Sequence, residues 1–249
     1  NMEYNSVHSF NTGMNNYETT KYVNTRNKRK TLLVDIDDTY NMNPSLIEKN
    51  ISNKTKLIIP VHMLGNPADM DNINNIARKH NIPVLEDGCE ALGAKYKGNY
   101  VGTLADVNVF SLDFAKTITC GEGGLITTNN EKIWRFCKEF HDHGHESNHK
   151  LPRGRDTRTI PGLNFRITEM QAAVASAQLN KLDLITDINR RNKTILKEIL
   201  SDSKKIKFRR ITDKAGDLAD TLIFNFDESD LTNRFVQKLN DNNLITKNV

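Results

Sequence analysis

The sequence has few of the features that mark membrane, secreted or nucleic-acid-binding proteins. None of its apolar runs approaches the roughly 20 residues that a membrane-spanning helix needs. The N-terminus lacks the basic, apolar and small-residue regions of a signal peptide. Its 35 basic residues are interleaved with 31 acidic ones, so no dense basic run indicates a nucleic-acid groove. We therefore expect neither a membrane nor a nucleic-acid partner.

Cysteine is also scarce. Cys89, Cys120 and Cys137 are an odd number without paired spacing, which argues against a disulfide framework and for a reducing compartment. We expect a cytoplasmic protein. Paired cysteines and an HExxH motif are both missing around the four histidines of residues 141–149, so no metal site is predicted there. Unexplained surface histidines are the ordinary interpretation of that group.

The order of apolar segments predicts an α/β fold. Residues 1–30 are rich in Asn, Thr and Tyr and are expected to form an irregular arm. After them, short strands alternate with helices, which is typical of a three-layer α/β/α arrangement with a mainly parallel sheet. The predicted strands are Thr31–Ile36, Leu57–Val61, Pro83–Glu86, Val107–Ser111 and Gly124–Thr128.

Capping residues and apolar spacing mark the helices. Asp69 is a predicted N-cap, and Thr168 forms a capping box with Gln171 at the start of one long helix to about Leu200. The aperiodic segment 144–161 predicts a long loop. Later strands and a helix predict the start of a small α+β domain. We therefore divide the chain into an arm (1–30), a large domain (31–185), and the end of the long helix with a partial small domain (186–249).

Three short segments combine chemically active side chains with turn residues. In residues 84–87 (VLED), a strand presents Asp87 at its carboxyl end, the edge of an open α/β sheet where ligands bind. Lys116 follows another strand and precedes the glycine-rich stretch 121–124 (GEGG). Asn164 comes just before the capped helix.

Each of these side chains has a chemical interpretation and an ordinary one. A lysine whose surroundings favour the free amine attacks carbonyl groups, and glycines let the backbone approach a ligand closely. An amide ahead of a helix N-terminus suits an anion. Taken singly, however, Asp87 can be a turn cap, Lys116 a solvated loop lysine and Asn164 a turn residue.

Together and in this order, the segments resemble the sugar aminotransferases of the DegT/DnrJ/EryC1/StrS family, a branch of the fold-type-I pyridoxal-phosphate enzymes. The resemblance extends from about Leu32 to Leu200. It implies the large domain of that fold type, pyridoxal 5′-phosphate as cofactor, an amino-acid donor such as glutamate, and a sugar acceptor. The matching stretches are PVHMLGNPADMDNI (60–73), EDGCEALGAKYKG (86–98), VGTLADVNVFSLDFAKTITCGEGGLITTNN (101–130) and GLNFRITEMQAA (162–173).

The resemblance also implies residue roles. Lys116 matches the catalytic lysine that holds the cofactor as a Schiff base and moves a proton between donor and acceptor carbons. Asp87 matches the acid that keeps the pyridine nitrogen protonated, and Ser111 matches a hydroxyl on the phosphate. Asn164 matches an amide that reaches the neighbouring subunit's cofactor phosphate, which implies a homodimer. His62 matches a histidine near the cofactor.

Two departures from the family pattern are visible. Glu90 stands where the family usually has a glutamine against the cofactor ring. A Ser-Gly-Thr-type turn, which grips the cofactor phosphate through backbone N–H groups, is missing before the first strand. The small domain also ends early. We therefore expect an incomplete copy of the family enzyme.

Finer and rival interpretations remain. FAKTITCGEGGLITTNN, HDHGHE and KLDLITDINRRNK look most like the transaminases that make 8-amino-3,8-dideoxy-manno-octulosonate, a bacterial lipopolysaccharide sugar. An aminotransferase for a nucleotide-linked keto sugar is the alternative. The missing turn favours a non-catalytic binding protein, which Lys116 and Asp87 oppose. Lys116 also opposes the related dehydratases, in which histidine replaces the lysine. A dinucleotide-binding protein lacks support because no GxGxxG motif is present.

Overall fold

A mainly parallel sheet runs through the larger part of the computed structural model, which describes residues 5–9, 30–152, 154–244 and 246. Two three-stranded pieces, in the orders β2-β1-β3 and β4-β7-β8, are joined by isolated parallel bridges from Ile58 to Val84 and from Val61 to Asp87. Only β8 runs antiparallel to its neighbour in these pieces. The strands are β1 Asn5–Ser9, β2 Lys30–Val34, β3 Thr55–Ile59, β4 Leu85–Asp87, β5 Lys95–Tyr96, β6 Asn99–Tyr100, β7 Val107–Ser111, β8 Gly124–Thr127, β9 Lys207–Phe208 and β10 Phe224–Asn225.

The predicted arm of residues 1–30 contains one described strand. Residues 5–9 form β1, which pairs in parallel with both β2 and β3. Pairing on both sides gives the backbone N–H and C=O groups of this polar segment their hydrogen-bond partners, which composition does not reveal. Residues 1–4 and 10–29 lie outside the described residues.

Five α-helices are described. Their caps agree with the sequence: the Asp69 side chain accepts a hydrogen bond from the Asn72 N–H, and Thr168 forms the predicted capping box with Gln171. The single long helix after Thr168 was a wrong prediction, because Asn180 ends one helix before Lys181 begins the next. Asparagine favours helix ends, since its side chain competes for backbone hydrogen bonds. The helices are α1 Met70–His80, α2 Glu131–Phe140, α3 Glu169–Leu179, α4 Leu182–Ser201 and α5 Ser229–Asp241. None of these helices is both long and apolar enough to cross a membrane.

Two apolar clusters hold the edge of the sheet in place. The first joins β2, β3 and the start of β4 to α1, through Val34, Ile58, Val84, Met70 and Ile73. The second packs Leu112, Ile118 and Cys120 against partly buried residues of α3 and α4. Since Leu112 and Ile118 flank the loop that carries Lys116, burial of both fixes the two ends of that loop.

The last part of the chain forms a small α+β unit. β9 and β10 pair antiparallel. Four phenylalanine rings on and after these strands form edge-on and tilted contacts with one another: Phe208, Phe224, Phe226 and Phe235. α4 runs without a break across residues 185 and 186, where the predicted domains divide. The proposed division therefore stays a prediction, while the strands and helix expected there are present.

Candidate active site

Two of the predicted ligands lie at one edge of the sheet because their strands are parallel neighbours. Asp87 ends β4 and is paired with Val109 of β7, and Ser111 ends β7 two residues later. The Asp87 Oδ1 atom accepts a hydrogen bond of 3.1 Å from the Cys89 N–H. The Ser111 hydroxyl oxygen accepts one of 3.3 Å from the Asp113 N–H. A carboxylate and a hydroxyl thus share the carboxyl edge, where α/β folds bind ligands.

Lys116 lies on the loop that follows this edge, opposite Glu90. Its Nζ atom is 3.8 Å from the Glu90 Oε1 atom, and both side chains are partly buried. The backbone N–H of Lys116 donates to the Asp113 carbonyl, which makes a turn at the loop tip. The structure therefore brings the predicted catalytic lysine together with the residue that departs from the family pattern.

The Cys89 thiol lies among these groups. Burial raises the pKa of the Cys89 thiol, the Asp87 carboxylate raises it further, and the positive charge of Lys116 lowers it. Glu90 also adds to the rise. The charges of Asp87, Glu90 and Lys116 therefore all influence the pKa of one thiol. The thiol itself stays protonated and is a poor nucleophile at neutral pH.

A tight turn at Met63–Gly65 supports Glu90 from behind. Leu64 has a left-handed backbone with φ of 47°, and its N–H donates a hydrogen bond of 3.1 Å to the Glu90 Oε2 atom. The buried Arg209 donates to the carbonyl oxygens of Met63 and Leu64, at 2.8 and 3.0 Å. No local sequence pattern indicates Arg209, because it lies 146 residues from Met63 and in no recognisable motif.

Asp220 is a second residue that the sequence analysis missed. Its Oδ2 atom accepts a 3.4 Å hydrogen bond from the hydroxyl of Thr117, the neighbour of Lys116. Burial raises the pKa of Asp220, although the residue as a whole is exposed. The Asp220 side chain is therefore accessible to solvent. A third carboxylate thus stands beside the lysine loop.

His62 makes hydrogen bonds within the protein, and its predicted role near the cofactor stays a prediction. The ring is fully buried; Nδ1 accepts from the Ala68 N–H at 3.0 Å, and Nε2 lies 3.1 Å from the Glu86 Oε2 atom. Because Nδ1 accepts, Nε2 carries the proton and donates to Glu86. Both ring nitrogens therefore have protein partners, and the side chain has no group left for a ligand.

Asn164 lies on a different segment from the lysine. It is exposed, and its Oδ1 atom accepts hydrogen bonds from the backbone N–H and the Nε–H of Arg166, at 3.4 and 3.0 Å. The segment nevertheless adjoins the glycine-rich turn, because the Gln171 amide donates to the Glu122 carbonyl at 2.9 Å. Within a single chain, the Asn164 side-chain oxygen therefore binds a residue of its own segment.

Among the residues that the structure describes, one group of possible metal ligands occurs outside this site. One ligand atom from each of Asp142, His143 and His145 lies within 4.8 Å of the others. Arg158 donates to the His145 Nε2 atom at 3.1 Å, and Arg166 lies 3.4 Å from Asp142. Two arginines at these distances oppose a cation. The prediction that the chain has no metal site is therefore left as it stands.

Comparison with known proteins gives a consistent family. Residues 12–249 match the DegT/DnrJ/EryC1/StrS aminotransferase family. GDP-perosamine synthase of Escherichia coli O157:H7 is 38% identical over 183 residues, which are 70% of this chain and 49% of that protein. GDP-perosamine synthase of Caulobacter vibrioides is 41% identical over 153 residues, 61% of this chain and 40% of that protein. The chain thus spans about half the length of the curated relatives it matches.

Solved structures confirm the predicted fold class. A GDP-4-keto-6-deoxymannose-3-dehydratase with a trapped PLP-glutamate geminal diamine superposes with a TM-score of 0.84 at 26% identity. The superposition covers 97% of this chain and 65% of that one. The α/β prediction is confirmed by this likeness and by the mainly parallel sheet.

Proposed function

Since this chain belongs to the DegT/DnrJ/EryC1/StrS aminotransferase family, we propose that it is a pyridoxal-phosphate-dependent sugar aminotransferase. The observation that carries the proposal is the placement of Lys116. Its amine lies 3.8 Å from Glu90, on the loop that follows the carboxyl edge where β4 ends at Asp87 and β7 ends at Ser111. The solved dehydratase that holds PLP and glutamate supports both the cofactor and the amino donor.

The residues at the edge have the chemistry that the cofactor requires. Lys116 would supply the amine that binds the aldehyde group of the cofactor, and the same amine would move the proton between the donor and acceptor carbons. Asp87 supplies a carboxylate for the pyridine nitrogen, and Ser111 a hydroxyl for the phosphate. The cofactor, when bound, supplies an electron sink. Glu90 places a negative charge beside the Lys116 amine.

Covalent labelling tests this assignment. Borohydride reduction of the cofactor-loaded protein, followed by peptide mapping, is expected to place the label on Lys116. Lys132 is the matched control, because it is exposed at the start of α2 and away from the edge. A label on Lys132, Lys95 or Lys97 contradicts the assignment. Specific binding of the cofactor without any covalent label favours the non-catalytic binding protein.

The acceptor is proposed to be a nucleotide-linked keto sugar. Both named relatives are GDP-perosamine synthases, and this favours a GDP-linked sugar over the 3,8-dideoxy-8-oxo-manno-octulosonate that the sequence resemblance indicated. The two acceptors differ in charge and in the presence of a nucleotide. Amination of each by protein preloaded with the amino form of the cofactor distinguishes them. Product formation from the octulosonate alone would reinstate the earlier assignment.

A homodimer is proposed from the surface around Asn164. The neighbouring side chains Leu163, Phe165 and Met170 are 55%, 64% and 80% exposed. Contiguous exposed apolar side chains of this kind mark protein interfaces. Covering them with a second copy would remove this apolar surface from water and would bring Asn164 towards the partner's phosphate site. Sedimentation velocity tests the proposal, and a monomer at micromolar concentration would contradict it.

A further inference from the structure

The Met63–Gly65 turn is a junction between distant parts of the chain. Its backbone is left-handed at two positions, with φ of 47° at Leu64 and 70° at Gly65, and the non-glycine Leu64 is the strained one. The polar groups of the turn are bound by residues from four separate segments. Those residues are Asn41, Glu90, Arg209 and Leu218. A left-handed non-glycine residue persists only where its surroundings determine it, so these contacts hold the turn in place.

Arg209 makes the contacts that need the most specific geometry. It is 5% exposed, and two nitrogens of its guanidinium donate to adjacent carbonyls, Nη1 to Met63 and Nη2 to Leu64. A planar fork can bind two neighbouring oxygens at once, whereas a lysine ammonium is a single point charge. The side chain comes from the end of β9, so it connects the small α+β unit to the sheet edge.

The turn that Arg209 holds in place also binds Glu90. The Leu64 N–H lies between the two carbonyls that Arg209 binds, and it donates to the Glu90 Oε2 atom. The other oxygen of the same carboxylate faces the Lys116 Nζ atom at 3.8 Å. Rotation of the turn would move the N–H and release the carboxylate. An unbroken series of contacts therefore runs from Arg209 through Leu64 and Glu90 to Lys116.

We propose that Arg209 is a positioning residue for Lys116, acting through the Met63–Gly65 turn and Glu90. The importance of the lysine rests on the proposed function, but the coupling itself does not. It is a property of the chain without cofactor. The proposal assigns to the small α+β unit a role in orienting the charge beside the amine, in addition to any contact that this unit makes with a substrate.

Competitive acylation of the cofactor-free chain tests the coupling. A brief exposure to acetic anhydride, followed by mass spectrometry, gives the labelling rate of Lys116 relative to Lys132 in the same molecules. Arg209→Met is expected to change this ratio at least about twofold, the lower end of the coupling between residues of one contact network. Arg210→Met is the matched control: it removes a neighbouring, half-exposed guanidinium that binds Asp37 and Asp38, and it should leave the ratio unchanged.

The Glu90→Gln background makes the test decisive. If Arg209 acts through Glu90, Arg209→Met changes the ratio in the wild-type chain and has little further effect in Glu90→Gln. An equal change in both backgrounds, or no change in the wild-type chain, overturns the proposal. Arg209→Lys is the second variant should Arg209→Met fail to fold. It keeps the charge but not the fork, so the ratio should shift in the same direction, and the Leu64 amide should exchange with deuterium faster.

The two possible failures can be told apart. A borohydride label at another lysine overturns the cofactor assignment and leaves the acylation ratio intact. An acylation ratio that stays the same in Arg209→Met overturns the positioning role and leaves the borohydride label on Lys116.

Discussion

The sheet edge around Lys116 and the segment 163–170 differ in how completely one chain satisfies them. Beside the edge, the Glu86 carboxylate is fully buried and accepts hydrogen bonds from His62 and from three backbone N–H groups. The segment 163–170 instead exposes apolar side chains. A buried polar group is costly unless it is paired, and neighbouring exposed apolar groups are typical of protein interfaces. One chain therefore satisfies Glu86 by itself, whereas the proposed dimer would cover the segment.

Removing the Glu86 charge should have the largest effect. Glu86→Gln replaces one acceptor oxygen by an NH2 group that faces donors from Gly102, Leu104, Ala105 or His62. We expect unfolding free energy to fall by about 2–4 kcal/mol, measured by urea denaturation. Glu131→Gln is the control, because its ion pair with Arg135 is exposed and should contribute less than about 0.5 kcal/mol. Equal losses of unfolding free energy in the two variants would show that the buried Glu86 network contributes no more to stability than an exposed ion pair.

A methyl group at Gly65 should have the next largest effect. Gly65→Ala would place a Cβ atom 2.6 Å from the Leu218 Cβ atom at a φ of 70°. We expect a loss of about 2–3 kcal/mol, from left-handed strain and overpacking together. Gly98→Ala separates the two causes, because Gly98 has a φ of 85° and open space around it. That control should lose only about 1 kcal/mol in the same denaturation experiment, and a similar loss at both sites would contradict the close packing of the turn.

Substitution in the segment 163–170 should affect association and leave folding nearly unchanged. Met170→Asp introduces a charge at a side chain that is 80% exposed, so unfolding free energy should change by less than about 0.5 kcal/mol. If a second copy covers the segment, dimer affinity should fall about tenfold or more, measured by sedimentation equilibrium. Leu184→Asp is the control, since that residue is 62% exposed on α4 and outside the segment. If both variants weakened the dimer equally, the effect would not be specific to the segment 163–170, and the proposed interface would be contradicted.

Local sequence signals predicted those parts of the site that depend on neighbouring residues. Asp87 and Ser111 were expected at strand ends, and β4 and β7 end there in parallel. Caps at Asp69 and Thr168 were confirmed because a cap involves side chains within one helical turn. The break at Asn180 was missed because apolar spacing continues across it.

His62 shows the limit of a resemblance. Its position in the sequence matched a histidine near the cofactor, but the ring is buried with both nitrogens bound to protein groups. A matching residue fixes where the backbone lies, and the direction of a side chain depends on which partners the surrounding chain offers. Glu86, one residue before Asp87, is the partner that decides this direction.

The sequence by itself determined the α/β fold, the family and the presence of a lysine after the strand that ends at Ser111. The fold follows from the spacing of apolar residues and from capping residues, and the family follows from the resemblance carried by the order of short motifs. All of these are properties of residues close together in the sequence. Only the tertiary structure decided what surrounds that lysine. Asp220 reaches the Lys116 loop through Thr117, 103 residues away, and Arg209 reaches the turn at Met63–Gly65 from a position 146 residues after Met63. Because contacts between such distant residues depend on how whole helices and strands pack, a local sequence pattern does not predict them.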